Sequence, residues 1–445
     1  MIHNETVLSN SKFNAGNLSS DGGAVLINKF LEDAGYFEFL EDISFRENRS
    51  AHKYTNFDIM KQLLIAFILG YANQTDANYL RKDPLINDDN LTASQPTLSK
   101  AFKRVTRVTT NDLSELVKKI SCDYINENLD DVIIDIDSTV IKAYGKQEGI
   151  AYIPHYKTTG FHPLIANEGH TGLALLPILR TGSAYSANGA IEALTEVLAY
   201  LNTEGKTVHM RGDSAFYNSD LMNFLDARNI EFFIRAKNFK KLIETLESYV
   251  REELKDKIRN YSADNPYYDE IEYTVNASKN KKPYRMAFKC YPVYSDKEEL
   301  IDYPELAFYC VITNASDKER SAKDVMDYYE KRGAAENFNK EIKNDFDAGT
   351  LSHKLFLENE YEFLLKAYAY NLYQIFRLEI LEDKDQKMMM STYRTKFQKI
   401  AVKIITHGRR KHLNYSSAYP YADRFRYYLD KVLNYQLEHM QYCCA

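Results

Sequence analysis

The chain has 445 residues, of which 44% are hydrophobic, so it is long enough for two or three domains around a large buried core. Its formal net charge of −6 argues, taken alone, against a nucleic-acid partner, although a total can hide local basic segments. The five cysteines form no Cys-x-x-Cys pair, which argues against a disulfide framework and a zinc site and favours the cytoplasm. No signal peptide or membrane-spanning stretch is predicted, which argues against a membrane protein.

The N-terminal region, residues 1–125, is predicted to be helical. The run FDIMKQLLIAFILGY at 57–71 indicates a buried helix, and Pro96 lies in the first turn of a basic helix, TLSKAFKRVTRV. Helix, turn and basic helix is the general form of a DNA-reading module, which makes three cations candidates for DNA contact: Lys100, Lys103 and Arg104. Plain helical packing is an equal alternative.

Between Asp131 and Lys237 the pattern changes to β-branched strands. The segments DVIIDIDSTVI, FHPLIANEG and TGLALLPILRTG predict three strands with short links, and the segments up to IEFFIRAK predict helix, strand, helix and strand. Short links favour an antiparallel meander, whereas strand–helix–strand links favour parallel pairing. This order matches a ribonuclease H-like sheet, which is an α/β fold.

The rest of the chain divides into an insertion and a helical end. Residues 240–316 hold a charged helix and then short strands, which indicates a β-rich insertion. After Ser321 the chain is predicted to be mostly helical. We therefore expect a ribonuclease H-like core of mixed sheet and helices at 126–239 and 317–350. A helical region at 351–445 would serve DNA binding or multimerisation.

Three acidic residues lie where strands end. Alternate positions of DVIIDIDSTV put Asp135 and Asp137 on the face opposite Ile134 and Ile136, and the strand KTVHMRGDS ends at Asp213. Two carboxylates on one face repel each other unless a cation or water lies there. The alternatives are a solvated strand edge for the pair and the ordinary preference of Asp for turns at position 213.

A later segment, DYYEKRGAAENFNKEIKND, is strongly helix-forming apart from Gly333. At about 100° per residue, one arc of a continuous helix carries a tyrosine, cations and a single acid: Tyr329, Arg332, Glu336, Lys340 and Lys343. The opposite arc carries apolar side chains: Ala334, Ala335, Phe338 and Ile342. The segment is therefore predicted to pack one face on the core and to present Glu336 among cations. The alternative is a solvated face with ion pairs between turns.

Two acids at strand ends and one on a helix make a set of hard oxygen ligands. Mg²⁺ needs few protein carboxylates, because it keeps several waters and binds substrate phosphate oxygens. Two such ions can activate an attacking oxygen and stabilise a leaving one, so two Mg²⁺ ions, with Mn²⁺ as a substitute, are the predicted cofactors. The cations around Glu336 suit DNA phosphates.

Several motifs carry a family resemblance: DIDSTV at 135–140, YGKQEG at 144–149, HYKTTGFHPL at 155–164, RGDSAF at 211–216 and YYEKRGAAENFNKEIKND at 328–345. Together with the spacing of Tyr329, Arg332, Glu336 and Lys343, they resemble the large "IS four" superfamily of bacterial insertion-sequence transposases, and most closely its "IS thirteen-eighty" branch. The resemblance extends from about residue 20 to about residue 430.

The resemblance implies a DDE-type transposase, a metal-dependent nuclease and strand-transferase. Its catalytic and metal-binding triad would be Asp137, Asp213 and Glu336. Asp137 is preferred to Asp135 because the first acid of the family directly precedes a small residue and a threonine, as in Asp137-Ser138-Thr139. Asp135 would then contact the residues that bind the metal without binding it directly.

The same resemblance implies roles in DNA binding. Tyr329, Arg332 and Lys343, with Lys340 on the same arc, would position the transposon-end DNA. The insertion at 240–316 would bind DNA ends and hold the cleaved strand. Because the chain has no tryptophan, base stacking would fall to Tyr or Phe, which leaves a hairpin intermediate open.

A second basic segment, STYRTKFQKIAVKIITHGRRKH at 391–412, carries no acid. Its cations around an apolar interior of Phe397, Ile400 and Ile404 predict a helix that contacts the DNA backbone. The residues assigned to DNA from this segment are Arg409, Arg410 and Lys411. A solvated face and a partner-binding helix are the alternatives.

The predicted partners are double-stranded DNA, as terminal inverted repeats and target, and a second copy of the chain in a synaptic homodimer. The protein would work in the bacterial cytoplasm, in association with the nucleoid and with no membrane. Two other functions fit parts of the pattern: a related nuclease that does not transpose, and an inactive descendant kept as a DNA-binding regulator. Intact acids at all three positions argue against the regulator.

Overall fold

The computed structural model describes residues 11–87, 92–275, 282–294, 304–408 and 410–443. The chain is a mixed α/β protein that folds as two compact units. Unit 1 comprises Met1–Leu116, Glu341–Ala348 and Leu355–Ala445, and unit 2 comprises Val117–Lys340 and Gly349–Lys354. None of the described helices is long and apolar enough to cross a membrane.

The strands of the described residues form three sheets. In chain order they are β1 (Leu18–Ser19), β2 (Asp131–Ser138), β3 (Ile141–Lys142), β4 (Ala151–Ile153), β5 (Thr158–Phe161), β6 (Leu164–Glu168), β7 (Ala174–Ile178), β8 (Thr207–Gly212), β9 (Glu231–Arg235), β10 (Tyr267–Thr274), β11 (Pro283–Val293), β12 (Glu305–Thr313), β13 (Val402–His407) and β14 (Arg410–Tyr415). β1 and the last two strands belong to unit 1, and the others belong to unit 2.

Along the sequence, the α-helices of the described residues occur before, within and after the strand-rich segment. In chain order they are α1 (Ala24–Asp33), α2 (Asn56–Leu69), α3 (Ala77–Leu80), α4 (Gln95–Phe102), α5 (Arg107–Asn128), α6 (Ala190–Tyr200), α7 (Ser219–Asp226), α8 (Lys240–Leu254), α9 (Ala322–Glu330), α10 (Gly333–Asn344), α11 (Phe356–Ile380), α12 (Asp383–Gln386), α13 (Met390–Tyr393) and α14 (Ala422–Cys443). The strands and helices predicted between 131 and 237 are confirmed, whereas several helix boundaries outside that segment are not.

The large sheet of unit 2 has eight strands in the order β10-β11-β12-β9-β8-β2-β6-β7. β6 pairs antiparallel with both β2 and β7, as predicted, but β2 and β6 are separated in the chain by β3, β4 and β5, which form a sheet of their own. β8 pairs parallel with both β2 and β9, as the strand–helix–strand links predict. The central strand β2 is buried along most of its length, so its β-branched residues form part of the core.

The strands predicted for the insertion are present, and they continue the same sheet. β12 pairs antiparallel with β9, with Val311 opposite Arg235 and Thr313 opposite Phe233. β11 and β10 then extend the sheet beyond β12. The predicted charged helix is α8, whose buried residues recur at every fourth position from Leu242 to Leu254.

The segment from 327 to 345 is two helices, so the prediction of one continuous helix is wrong. α9 ends at Glu330, and α10 begins at Gly333, where a residue with poor helix propensity follows a tight turn. Hydrogen bonds from Arg332 N to Tyr329 O (2.9 Å) and from Ala335 N to Arg332 O (2.9 Å) close this junction. A single helical projection therefore does not relate Tyr329 and Arg332 to the residues of α10.

The predicted basic helix at 97–108 is also interrupted. Pro96 lies in the first turn of α4 as expected, but α4 ends at Phe102. A new helix begins at Arg107 because Thr106 and Thr109 cap it reciprocally, each side-chain oxygen accepting from the other residue's backbone N at 3.2 and 3.0 Å. The turn between the two helices places Arg104 outside either of them.

The prediction of a basic helix over 391–412, in a mostly helical C-terminal region, is wrong. A short π-helix spans Arg394–Gln398, and the chain then forms the hairpin β13–β14, with β1 on its other edge. The β-branched run in VKIITH favours a strand, and Gly408, at a φ of +62°, takes the left-handed turn. Pairing with β1, nearly 400 residues earlier in the chain, fixes the hairpin.

Candidate active site

Asp137 and Asp213 are brought together by the parallel pairing of β2 and β8. The register sets Ile136 opposite Gly212, so each acid comes one residue further at the same edge of the sheet. Asp213 follows its strand directly and caps a short 3₁₀ turn, Ser214–Phe216, by accepting from Ala215 N at 2.9 Å. Carboxylates thus end two adjacent strands, as the sequence predicts.

Glu336 reaches the same place from α10. It lies in the exposed first turn of that helix. Asp137, Asp213 and Glu336 all line one open cavity of about 340 Å³. The cavity is completed by polar and aromatic residues: Ser214, Arg235, Tyr309, Tyr329, Glu330, Arg332 and Gly333. The three acids predicted from the sequence therefore share a single cavity.

Asp137 is held by two donors. Arg332 Nη2 lies 3.2 Å from its Oδ1, and Asn339 Nδ2 donates to its Oδ2 at 3.0 Å. Burial raises the pKa of Asp137 above its ordinary value, the Arg332 charge lowers it, and the Asp213 charge raises it further. The Arg332 charge therefore offsets only part of the effect of burial, and the pKa of Asp137 stays raised.

Arg332 is a buried cation beside the cavity. It is only 8% exposed, and its Nη2 also approaches the backbone oxygen of Ile136 at 3.3 Å. Its buried Nε has no hydrogen-bond partner among the described residues. A buried guanidinium with an unused N–H is suited to an anionic ligand, because a phosphate can accept from two of its donors at once.

Asp135 has different surroundings, although it lies two positions before Asp137. Both of its oxygens accept from Arg211, at 2.6 Å each, and both side chains are almost fully buried. Arg211 also donates to the backbone oxygen of Tyr328 at 3.1 Å. Asp135 therefore joins β2 and β8 to the end of α9 instead of lining the cavity.

The donor chemistry of the cavity fits a hard divalent cation. Three carboxylates supply oxygen ligands, which Mg²⁺ and Mn²⁺ prefer over nitrogen or sulfur. Across the described residues, no group of three or more acidic, histidine or cysteine side chains stands close enough to hold a metal ion as arranged. The side chains must therefore draw together to bind an ion.

Comparison with known proteins identifies the family. The model of the family described as Transposase DDE domain group 1 matches residues 4–437. The chain belongs to this transposase family. It is therefore a DDE transposase, an enzyme that cleaves DNA and transfers strands, and enzymes of this kind use divalent metal ions. No curated protein matches the chain.

One solved structure similar to the transposase is a cryo-EM structure of a piggyBac transposase synaptic complex with hairpin DNA. The TM-score is 0.43 and the sequence identity is 12%, over 85% of this chain and 80% of that chain.

The cations and the tyrosine predicted beside Glu336 differ in their exposure and in whether they line the cavity. Tyr329 is 4% exposed and packs against the buried cluster of Phe233 and Val325 while also lining the cavity. Lys340 is exposed, Lys343 is half-buried, and neither is among the described residues that line the cavity. Only Tyr329 and Arg332 of this set line the cavity together with the acids.

Among the N-terminal cations, Lys100 and Lys103 are exposed, but Arg104 is not available to DNA. Its guanidinium is buried and donates to Asn56 Oδ1 at 2.8 and 2.9 Å, tying the α4–α5 turn to the start of α2. The prediction that Arg104 contacts DNA is therefore corrected, because an amide acceptor already uses its donors.

The C-terminal cations lie on a hairpin. Arg410 and Lys411 are exposed on β14, and Arg409 lies outside the described residues. Arg394, from the same basic run, is half-buried and donates to the last carbonyls of α2, Phe67 O and Ile68 O, at 2.8 and 2.9 Å. The basic run is thus divided between a helix cap and an exposed strand.

Sequence reasoning missed several residues at the site. Arg235 ends β9, lines the cavity and stacks 4.3 Å above the ring of Tyr309. Tyr156 Oη donates to Ser138 O at 3.0 Å, and burial together with the charges of Asp137 and Asp213 raises its pKa. The parallel pairing of β8 and β9 could have indicated Arg235, since both strands end at one edge. Nothing local to the sequence indicates Tyr156.

Proposed function

We propose that this transposase cleaves the ends of an insertion sequence and joins them to target DNA, by phosphodiester hydrolysis followed by transesterification. Asp137, Asp213 and Glu336 are its proposed catalytic triad. The observation that carries this proposal is the single cavity that all three carboxylates line. The cavity is open, so a DNA backbone can reach the acids without passing through the core.

Two Mg²⁺ ions, replaceable by Mn²⁺, are the proposed cofactors, and the triad would hold them. Bound there, they supply activation of the attacking oxygen and stabilisation of the leaving oxygen. Arg332 binds a phosphate oxygen next to the reacting bond, supported by its position in the cavity wall beside Asp137. Charge that develops on the phosphate is then stabilised by a fixed guanidinium.

The proposed fold is a ribonuclease H-like core at 126–239 and 317–350, interrupted by the β-rich insertion at 240–316. The support is the strand order β7-β6-β2-β8-β9, with two antiparallel pairs followed by two parallel pairs. Regions at 1–125 and 351–445, mostly helical apart from β1 and the hairpin β13–β14, complete the proposed domain arrangement. A place in the "IS four" superfamily, nearest the "IS thirteen-eighty" branch, and a bacterial nucleoid-associated setting belong to the same proposal.

The proposed partners are the terminal inverted repeats and target DNA, held by a homodimer during synapsis. Tyr329, Lys340 and Lys343 would contact DNA close to the scissile bond. A second set would contact the backbone farther away, supported by the exposure of its described members: Lys100, Lys103, Arg410 and Lys411. Arg409 is proposed with the second set on the strength of the sequence alone.

The test is cleavage of transposon-end DNA by variants of each acid. We expect Asp137→Asn, Asp213→Asn and Glu336→Gln each to abolish cleavage in Mg²⁺ while DNA-end binding persists, because a metal ligand is lost and the phosphate contacts remain. Gel assays of cleavage and fluorescence anisotropy of DNA binding measure the two effects.

Asp220→Asn is the matched control, since this exposed acid lies on α7 and not in the cavity. It should cleave like the native protein, and native cleavage should stop in EDTA. A variant of the triad that retains near-native cleavage in Mg²⁺ would remove its residue from the triad. Cleavage that survives EDTA would refute the metal-dependent mechanism.

A further inference from the structure

Two buried asparagines form a hydrogen-bonded chain that ends on Asp137. Asn167 Nδ2 donates to Asn339 Oδ1 at 2.9 Å, and Asn339 Nδ2 donates to Asp137 Oδ2 at 3.0 Å. Asn167 lies on β6 and is fully buried, and Asn339 lies on α10, three residues after Glu336, with 5% of its surface exposed. These two hydrogen bonds therefore connect β6, through α10, to the carboxylate of Asp137 near the end of β2.

The direction of this hydrogen-bonded chain is fixed by Asp137. A carboxylate paired with Arg332 can only accept, so Asn339 must turn its NH₂ group towards Asp137. The oxygen of Asn339 then faces Asn167, which must donate in turn. Asn167 Oδ1 is left buried and without a hydrogen-bond partner among the described residues, which lowers the stability of the fold.

The pairing of β6 with β2 directs Asn167 towards this contact. Asn167 stands opposite Asp135 in a regular antiparallel register, and the register shift against β7 leaves its extra residue, Leu175, on β7. Regular alternation along the two strands therefore places Asn167 on the face of the sheet that carries Asp135 and Asp137. An amide in the sheet core, aimed at another amide instead of at apolar neighbours, indicates a role other than packing.

We propose that Asn339, supported by Asn167, is a positioning residue that fixes the orientation of the Asp137 carboxylate for a divalent cation. Arg332 and Asn339 each donate to one carboxylate oxygen of Asp137. The remaining lone pairs of both oxygens stay available for an ion. Asn339 is neutral, so it orients Asp137 without opposing the charge of the ion. This inference rests on the proposed metal-binding role of Asp137.

Loss of the amide should weaken cation binding more than it disturbs the fold. Outer hydrogen-bond partners of metal ligands are worth about 10–100-fold in metal affinity or activity when removed. We expect Asn339→Ala to weaken Mn²⁺ binding to the full-length protein, measured without DNA by electron paramagnetic resonance, by a factor in that range. The Mg²⁺ concentration for half-maximal cleavage should rise by a similar factor, with much of the rate recovered at high Mg²⁺.

Asn167→Leu tests the same pair of hydrogen bonds with little change in side-chain volume. A leucine at 167 cannot donate to Asn339, whose buried oxygen then has no donor from β6 and no longer fixes the orientation of the amide. Mn²⁺ binding should weaken in this variant also. The matched control is Asn337→Ala, an exposed position on the same helix, which should bind Mn²⁺ like the native protein. Thermal unfolding checks that each variant is folded, and DNA binding in EDTA should be unchanged.

The outcomes separate this inference from the proposed function. Mn²⁺ binding by the native protein that is lost in Asp137→Asn but unchanged in folded Asn339→Ala and Asn167→Leu would overturn the positioning role alone. If Asn339→Ala does not fold, Asn167→Leu decides the question. A native protein that binds no Mn²⁺, or binds it equally well after Asp137→Asn, would overturn the proposed metal site and this inference with it.

Discussion

Asp135 and Asp137 show how two identical side chains in one strand acquire different tasks. Both were predicted to share a face of β2, and the choice between them came from a family resemblance. The structure supplies a physical reason, because Arg211 takes both oxygens of Asp135, whereas Asp137 keeps part of each oxygen open to the cavity. The sequence could not indicate this difference, since Arg211 and Asn339 lie 76 and 202 residues away from the acids they bind.

Replacement of Asp135 should therefore act on stability. Asp135→Asn leaves the buried Arg211 guanidinium without its counter-charge, and breaking a buried pair in this way costs about 3–5 kcal/mol. We expect a loss of that size in the free energy of unfolding, measured by urea denaturation, with cleavage retained by the folded fraction. The double variant Asp135→Leu with Arg211→Met should recover most of the loss. A single variant as stable as the native protein would show that the pair is not holding β2 to β8.

Prediction of the helices and strands succeeds where the sequence pattern is local, and it fails where contacts between distant parts of the chain determine the structure. β2 and the strands from β6 to β9 follow from β-branched alternation, which predicts the neighbourhood of Asp137 and Asp213. The short strands β3, β4 and β5 are not predicted by that pattern. The hairpin β13–β14 carries cations at spacings that also fit a helix, and its pairing with β1 depends on residues nearly 400 positions away. The sequence marks Gly333 as a weak helix position, but the turn that ends α9 at Glu330 depends on tertiary contacts.

The hairpin changes what its cations are expected to do. Arg410 and Lys411 are consecutive residues on β14, so their side chains leave opposite faces of the strand. If both contact phosphates, Arg410→Ala and Lys411→Ala should each lower the salt slope of DNA binding by about one unit. The cleavage rate at saturating DNA should stay near native, because such contacts contribute uniform binding.

Fluorescence anisotropy at several salt concentrations, with single-turnover cleavage at protein excess, measures both quantities. Lys318→Ala provides a control cation, exposed in a turn of unit 2. If only one of the two hairpin variants changes the slope, a single face of β14 contacts DNA. Unchanged slopes in both variants would remove the hairpin from the DNA-binding surface.

Unit 1 is assembled from distant parts of the chain, which local patterns could not reveal. Its N-terminal helices pack on C-terminal ones: Phe30 of α1 meets Phe376 of α11 edge-on at 5.6 Å, and Tyr368 Oη donates to Tyr36 O at 2.9 Å. α11 is buried on almost every side, which explains its apolar and tyrosine-rich sequence.

This assembly predicts the outcome of truncation. A chain ending at residue 350 keeps Asp137, Asp213 and Glu336, but it loses α11 and so exposes the apolar faces of α1 and α2. We expect low soluble yield, or a soluble product without a cooperative thermal transition, and no cleavage of transposon-end DNA. A chain ending at Tyr421 loses only α14 and should be affected less, because α11 remains to cover α2. If the chain of 350 residues unfolds cooperatively and cleaves DNA, the C-terminal segment of unit 1, which begins at Leu355, is dispensable for folding and for catalysis.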